Sequence, residues 1–214
     1  MAMDFITIVF LVYSFLAFYF LFLFILTYVQ NKKEFFSTPK ITKEYSLSIV
    51  VPCFNGGGHL ADTINGLLNL KYAQLKKIIV VDDCSTDNSY EIAKEYEKKY
   101  PYKIKVVQTP KNTGCSAGAK NYGAKFVNTE LIGFTDDDSM PEKDSVNYMI
   151  GFFDDKKVGA VTSTVLVQNR NNFILRLQSI EYKVIKFSRK LLEFLDSIYV
   201  TPGPLAIYRK SAFE

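Results

Sequence analysis

The 214-residue sequence has no tryptophan, a single histidine and only three cysteines. Cys53, Cys84 and Cys115 form no C-x-x-C pair, and an odd number cannot all close into disulfides within one chain, which points to a reducing compartment. Together with His59 they match no zinc-ligand spacing, so His59 is expected to be a solvated residue at a helix start. There is no G-x-G-x-x-G and no Walker A sequence, which excludes the usual dinucleotide and P-loop readings. Charge is nearly balanced, with 26 Lys and Arg against 22 Asp and Glu, and no basic run is dense enough for a nucleic-acid groove.

Charge is missing altogether from residues 5–29, "FITIVFLVYSFLAFYFLFLFILTYV". As a helix this stretch would run roughly 36 Å, enough to cross a hydrocarbon core of about 30 Å with some tilt. A signal peptide fits poorly: the run is too long, no basic segment precedes it and no small-x-small cleavage site follows. It is apolar on every face, which also argues against a buried soluble helix. Asp4 precedes the run, whereas Lys32, Lys33, Lys40 and Lys43 follow it. That bias predicts a single-pass cell-membrane anchor with the rest of the chain in the cytoplasm. The expected organisation is a transmembrane helix at 1–30, a juxtamembrane linker at 31–46 and a folded domain at 47–214.

Downstream, short apolar runs alternate with helical patterns. "LSIVVPCF", "KKIIVV", "YKIKVVQT", "LIGFT" and "VGAVTSTVLV" read as strands. Between them "GGHLADTINGLLNL", "NSYEIAKEYEKKY", "SAGAKNYGAKFV" and residues 144–153 read as helices, with Asn88 and Glu91 in capping-box spacing and Glu95 and Lys99 as an i,i+4 pair. The strands are continuously apolar, so an α/β fold is expected, with a mostly parallel sheet covered by helices on both faces. A long helix over about 172–195 mixes Phe, Ile and Leu with Lys and Arg. It reads either as a core-facing amphipathic helix or as one lying along a membrane surface.

In parallel α/β sheets ligands bind beyond the carboxyl ends of the strands. Three polar clusters fall there: Pro52-Cys53-Phe54-Asn55, Asp82-Asp83-Cys84-Ser85 and Asp136-Asp137-Asp138. Carboxylates gathered on one edge repel each other unless a cation or hydrogen-bond donors are present. Two aspartates in D-x-D spacing are hard oxygen ligands suited to Mg²⁺ or Mn²⁺, with substrate phosphates completing the coordination.

The ordered set "SIVVPCFN", "IIVVDDCSTDNS", "NTGCSAGAKNYG", "LIGFTDDDSMPEKD" and "GPLAIYRKSAFE" resembles glycosyltransferase family 2, with its GT-A, Rossmann-like fold. "LQSIEY" ahead of "TPGPLAIYR" is similar to the membrane-bound branch that includes hyaluronan, poly-N-acetylglucosamine and cellulose synthases. The resemblance implies an inverting, metal-dependent transfer of a sugar from a nucleotide-diphosphate sugar, with a UDP-sugar favoured, to a glycan or lipid acceptor. It also implies residue roles. Pro52 and Asn55 would border the nucleoside, Asp83 would contact the uracil with support from Asp82, and Lys120 would stand near the phosphates. Asp136 and Asp138 would hold Mg²⁺ or Mn²⁺, with Asp137 assisting from the side, and Gly203, Pro204 and Arg209 would line the sugar or acceptor site. The general base is expected beyond Glu214, in a later segment or a second chain. The sequence departs from the family pattern at Asn55-Gly56, where Asn-Glu is common, and at Cys84, where Gly is usual. A nucleotide-sugar-binding module without catalysis is the alternative. A nucleotidyltransferase is disfavoured because "PCFNGGGHL" carries no Lys or Arg.

Overall fold

The computed structural model describes residues 4–168, 170–201 and 203–213. They form two compact units, one of residues up to Ser37 with Val165–Val200, the other of Thr38–Thr164 with residues from Thr201 onward.

The larger unit is the expected α/β domain. In chain order it contains β1 (Leu47–Cys53), α2 (Leu60–Leu68), β2 (Leu75–Asp82), α3 (Ser89–Lys99), β3 (Ile104–Gln108), α4 (Ser116–Ala124), β4 (Leu131–Phe134) and α5 (Ser145–Ile150). After a 3-10 turn at Gly151–Asp154 come β5 (Ala160–Thr162), β6 (Ala206–Arg209) and α7 (Lys210–Phe213). The six-stranded sheet has the order β3-β2-β1-β4-β6-β5. Its first four strands are parallel, and β6 runs antiparallel to both β4 and β5. Successive side chains of a strand point to opposite faces, so β1 and β2 feed two cores. Ile49, Val51, Ile78 and Val80 join Leu60, Ile64 and Ala93 on one face. Val50, Ile79 and Val81 join Ala119, Ile132 and Phe134 on the other. Burial on both faces is why these strands carry no polar alternation.

Three local expectations differ from the structure. "VGAVTSTVLV" contributes only Ala160–Thr162, because its partner β6 is four residues long and the ladder ends at Thr162 opposite Ala206. Asn88 is the N-cap of α3 but makes no side-chain cap bond. Asp87 outcompetes it, its Oδ1 accepting from Ser89 N at 3.0 Å. Among the described residues the ion pair on α3 joins Lys94 to Glu97 at 2.7 Å rather than Glu95 to Lys99.

The smaller unit holds α1 (Phe5–Phe35) and α6 (Phe173–Glu193). Of the expected anchor, residues 1–3 lie outside the described residues. α1 is capped by Asp4, which accepts from Thr7 N at 2.8 Å, and it continues past Val29 to Phe35. It is long and apolar enough to cross a membrane, and none of its most apolar stretch is buried in protein. Its few polar groups are paired internally: Thr27 Oγ1 donates to Leu23 O and Asn31 Nδ2 to Thr27 O, both at 2.8 Å.

Glu97 also closes an exposed edge. β3 is the outer strand, and the outward-facing amide of Val106 donates to Glu97 Oε1 at 2.7 Å. Partial burial pushes the Glu97 carboxyl up, but Lys94 and the Val106 amide outweigh that and hold it below the ordinary glutamate range. A carboxyl lowered in this way stabilises the fold above its unfolded pKa, and the contribution disappears as pH falls through the folded value. Glu97→Ala is expected to cost about 1–2 kcal/mol at neutral pH and to speed hydrogen exchange at Val106. The deficit should shrink below the ordinary glutamate pKa, as read by denaturant melts across pH.

Candidate active site

The sheet opens where β4 stops. Residues 46 and 50 of the first strand region bond towards β4, through Leu131 N to Ser46 O and Thr135 N to Val50 O. Their register ends at Val50 opposite Phe134, while β1 and β2 continue paired to Cys53 and Asp82. Pro52 therefore sits inside a central strand, yet the side on which it lacks an N–H faces ground that β4 has already left. Beyond this split lie all three clusters singled out from the sequence.

Two loops there are stitched to one another. Asn55 has φ 55°, a left-handed conformation that Asn tolerates better than most residues. Its Oδ1 accepts from Thr86 N at 2.8 Å, its N–H donates to Ser85 Oγ at 3.0 Å, and Gly57 N donates to Asp87 Oδ2 at 3.0 Å. Asp82 and Asp83 are both buried. Asp82 Oδ2 accepts from Gln108 Nε2 at 2.8 Å. Asp83 accepts from Thr109 Oγ1 and Thr113 Oγ1, both at 2.7 Å, and from Thr113 N at 3.1 Å. Burial pushes the Asp83 carboxyl up, but these donors win and hold it below the usual aspartate range. Two carboxylate oxygens offer about four acceptor positions, so a nucleobase N–H reaches Asp83 only where a Thr113 donor yields. Sequence reasoning missed Thr109 and Thr113, whose only signal is a hydroxyl at each end of the "TPKNT" turn after β3.

The three consecutive aspartates diverge. Asp136 Oδ1 lies 3.1 Å from Lys120 Nζ, which projects from α4. Gly203 lies against the same carboxylate: a Cβ there would come 2.6 Å from Asp136 Oδ2. Asp137 turns the other way, towards β1 and α2. A Cβ on Gly56 would come 2.1 Å from Asp137 Oδ2, so the glycine that replaces the common glutamate makes room for this carboxyl. Burial pushes Asp137 above the usual range, with the Cys53 thiol counteracting and the neighbouring aspartates adding to it. The Cys53 thiol is pushed up to about 12 by burial and by Asp137. Asp138 is exposed to solvent. Among the described residues no group of three or more His, Cys, Asp or Glu forms a metal cage. Lys120, Phe134, Thr201, Gly203 and Tyr208 line a cleft of about 160 Å³ beside Asp136.

The predicted sugar or acceptor segment is divided. Gly203 reaches the site, and Pro204 O accepts from Ser163 Oγ at 2.9 Å; Pro202 of "TPGPLAIYR" lies outside the described residues. Arg209 does not reach the site. It pairs with Leu131 at the start of β4, whereas Ala206 pairs with Phe134 at its end. At about 3.3 Å per residue that is roughly 10 Å from the aspartate edge. Its guanidinium is engaged with backbone carbonyls, donating from Nε to Val158 O and from Nη2 to Phe153 O and Asp155 O. The antiparallel return of β6 reverses the edge on which a terminal arginine falls, which spacing alone does not reveal.

Residues 48–214 match the family described as Glycosyl transferase family 2. The chain belongs to this family. Relatives include the poly-beta-1,6-N-acetyl-D-glucosamine synthases of Staphylococcus epidermidis, 29% identical over 95% of this chain, and of Staphylococcus aureus, 30% identical over 91%. The chain spans about half the length of these relatives, 52% and 46%. Among solved structures it is similar to a mannosyltransferase of Pyrobaculum calidifontis in complex with GDP-Man and Mn²⁺. That match has a TM-score of 0.66 and 19% identity, covering 87% of this chain and 52% of the other. It is also similar to Staphylococcus aureus TarS 1-349 in complex with UDP-GlcNAc, with a TM-score of 0.54 and 21% identity over 78% of this chain and 46% of that one. These likenesses establish the GT-A architecture expected from the sequence.

The family's usual glycine at position 84 has a local cause. Cys84 has φ 61°, a conformation costing a side-chain-bearing residue roughly 1 kcal/mol relative to Gly. Cys84→Gly should therefore be about 1 kcal/mol more stable than Cys84→Ala in reversible denaturation; equal stabilities would show that the loop does not hold this backbone.

Proposed function

We propose that this chain carries the donor site of a membrane-anchored, inverting glycosyltransferase that takes a UDP-sugar and extends a glycan. The observation that supports it best is the meeting of Asp136, Lys120 and Gly203 beyond the end of β4. It joins the acidic motif, a cation and the segment ahead of β6 at the split in the sheet. The relatives' names favour an N-acetylhexosamine as the sugar.

In this reading the nucleoside lies over the β1 and β2 loops. Pro52 and Asn55 shape its edge, exposed Phe54 offers a ring face for stacking, and Asp83 accepts from the base while Asp82 fixes the loop behind it. The donor chemistry at Asp136 and Asp138 is oxygen only, which fits Mg²⁺ or Mn²⁺ with the diphosphate supplying further ligands. Bound there, such a cation stabilises negative charge growing on the departing nucleoside diphosphate. Lys120 holds the Asp136 carboxylate in the absence of nucleotide and is released to a phosphate oxygen once that carboxylate is otherwise compensated. Asp137 keeps the Asp136–Asp138 loop seated on β1, and Thr63 Oγ1 donates to its carbonyl at 2.8 Å. Gly203 and Pro204 border the space for the sugar. The base that deprotonates the acceptor hydroxyl is expected beyond Glu214, so donor binding is the step to measure on these residues. α1 supplies the anchor, and the lysines after it favour a cytoplasmic domain.

Calorimetric titration with UDP-N-acetylglucosamine, other UDP-sugars and GDP-mannose, with and without Mn²⁺, tests this reading. UDP-sugar binding is expected to require the cation. Asp138→Asn should weaken it by at least about tenfold, or 1.4 kcal/mol, and Lys120→Ala by a similar factor. Unchanged cation dependence in Asp138→Asn would refute the metal assignment.

A further inference from the structure

We propose that α6 is a second membrane element, lying along the bilayer surface with its apolar stripe dipped into the leaflet at the lysine-bearing end of α1. This rests on the reading of α1 as a membrane span. Phe173, Leu177, Ile180, Val184, Phe187 and Leu191 recur at three- and four-residue spacing and so share one face of α6. At the C-terminal end of that face Leu191 is buried, and the ring of Phe187 lies 5.7 Å from Tyr28 and 5.1 Å from Phe35 of α1. Over the first three turns the same face is bare: Phe173 is 74% exposed, Leu177 50%, Ile180 57% and Val184 57%. The other side of the helix carries buried Ser179. An ordinary surface helix buries its apolar stripe and shows its polar one to water; α6 does the reverse, so its outer face requires an apolar cover.

What covers it follows from α1. Tyr28 and Phe35 bracket the point where the uncharged run ends and Lys32 and Lys33 begin, the headgroup depth of a spanning helix. Phe187 is held at that depth. α6 carries five basic residues, Arg176, Lys183, Lys186, Arg189 and Lys190, against two acidic ones, Glu181 and Glu193. A helix so charged cannot enter the hydrocarbon, yet its stripe continues the apolar surface of α1. Both conditions are met in the interfacial plane, with long basic side chains reaching headgroups. The excess of positive charge selects an anionic leaflet.

The absence of native tryptophan permits a direct test. Single-tryptophan variants Leu177→Trp, Val184→Trp, Tyr182→Trp and Phe15→Trp of the full chain are reconstituted in phosphatidylglycerol–phosphatidylcholine vesicles and in phosphatidylcholine alone. Quenching by lipids brominated near the headgroup or near the chain end reports depth. Leu177→Trp and Val184→Trp are expected to emit at blue-shifted wavelengths and to lose most intensity to the shallow bromines. That loss should diminish in phosphatidylcholine alone, and Tyr182→Trp should be spared. Phe15→Trp should be quenched by the deep bromines. If Phe15→Trp is quenched but Leu177→Trp stays solvent-like, the inference about α6 fails while the anchor stands. If Leu177→Trp is blue-shifted but insensitive to bromine, protein covers the stripe, a second copy included, and the inference also fails. If Phe15→Trp itself escapes quenching, the membrane reading of α1 falls and this inference falls with it.

Discussion

Three neighbouring carboxylates at the end of a buried strand cannot share one environment, and the form of this site follows from how they are separated. β4 is buried along its length and ends at Phe134, so the chain leaves a low-dielectric sheet and meets Asp136, Asp137 and Asp138 within a few residues. Each is handled differently. Asp136 is paired with Lys120, Asp137 is folded inward against Gly56 and Cys53, and Asp138 is left in water. Desolvation alone would make such a cluster destabilising. The fold keeps it by giving one carboxylate a cation, placing one in a pocket that raises its proton affinity, and leaving one free for a ligand.

The same edge explains why residues far apart in the sequence act together. Termination of β4 before β1 opens the crevice, and only there does a proline fit inside a central strand. The loops after β1 and β2 are then joined through Asn55, Ser85, Thr86 and Asp87, while Thr109 and Thr113 lock Asp83 in place. A rigid nucleoside platform and a more open acidic tip are thus built from one sheet. Rigidity is concentrated where a base would be read, and exposure where a phosphate and its cation would enter.

Much of this was legible from the residues. Continuous apolar strands alternating with helices implied the parallel, doubly covered sheet, and strand-end polarity pointed to the correct edge. What escaped was set by tertiary competition. Arg209 was expected at the sugar site, but the antiparallel return of β6 carries it to the opposite end of β4. Asn88 has the spacing of a capping box, but Asp87 takes the first amide of α3. Glu95 and Lys99 have favourable spacing, yet Glu97 is drawn to Lys94 and to the open edge of β3. Gly56 looked like a departure from the family pattern and is the space that Asp137 occupies. In each case the missing information was which of two nearby partners lies closer once the sheet has formed.

The central claim is that Asp136 and Asp138 form one half of a cation site whose other half is a nucleoside diphosphate. Anomalous scattering from crystals grown with Mn²⁺ and UDP tests it most directly. The account predicts a single manganese peak bridging the Asp138 carboxylate and the diphosphate, with Lys120 moved off Asp136 onto a phosphate oxygen. Nucleotide bound at the β1–β2 loops with the Lys120–Asp136 pair intact and no manganese at Asp138 would contradict it.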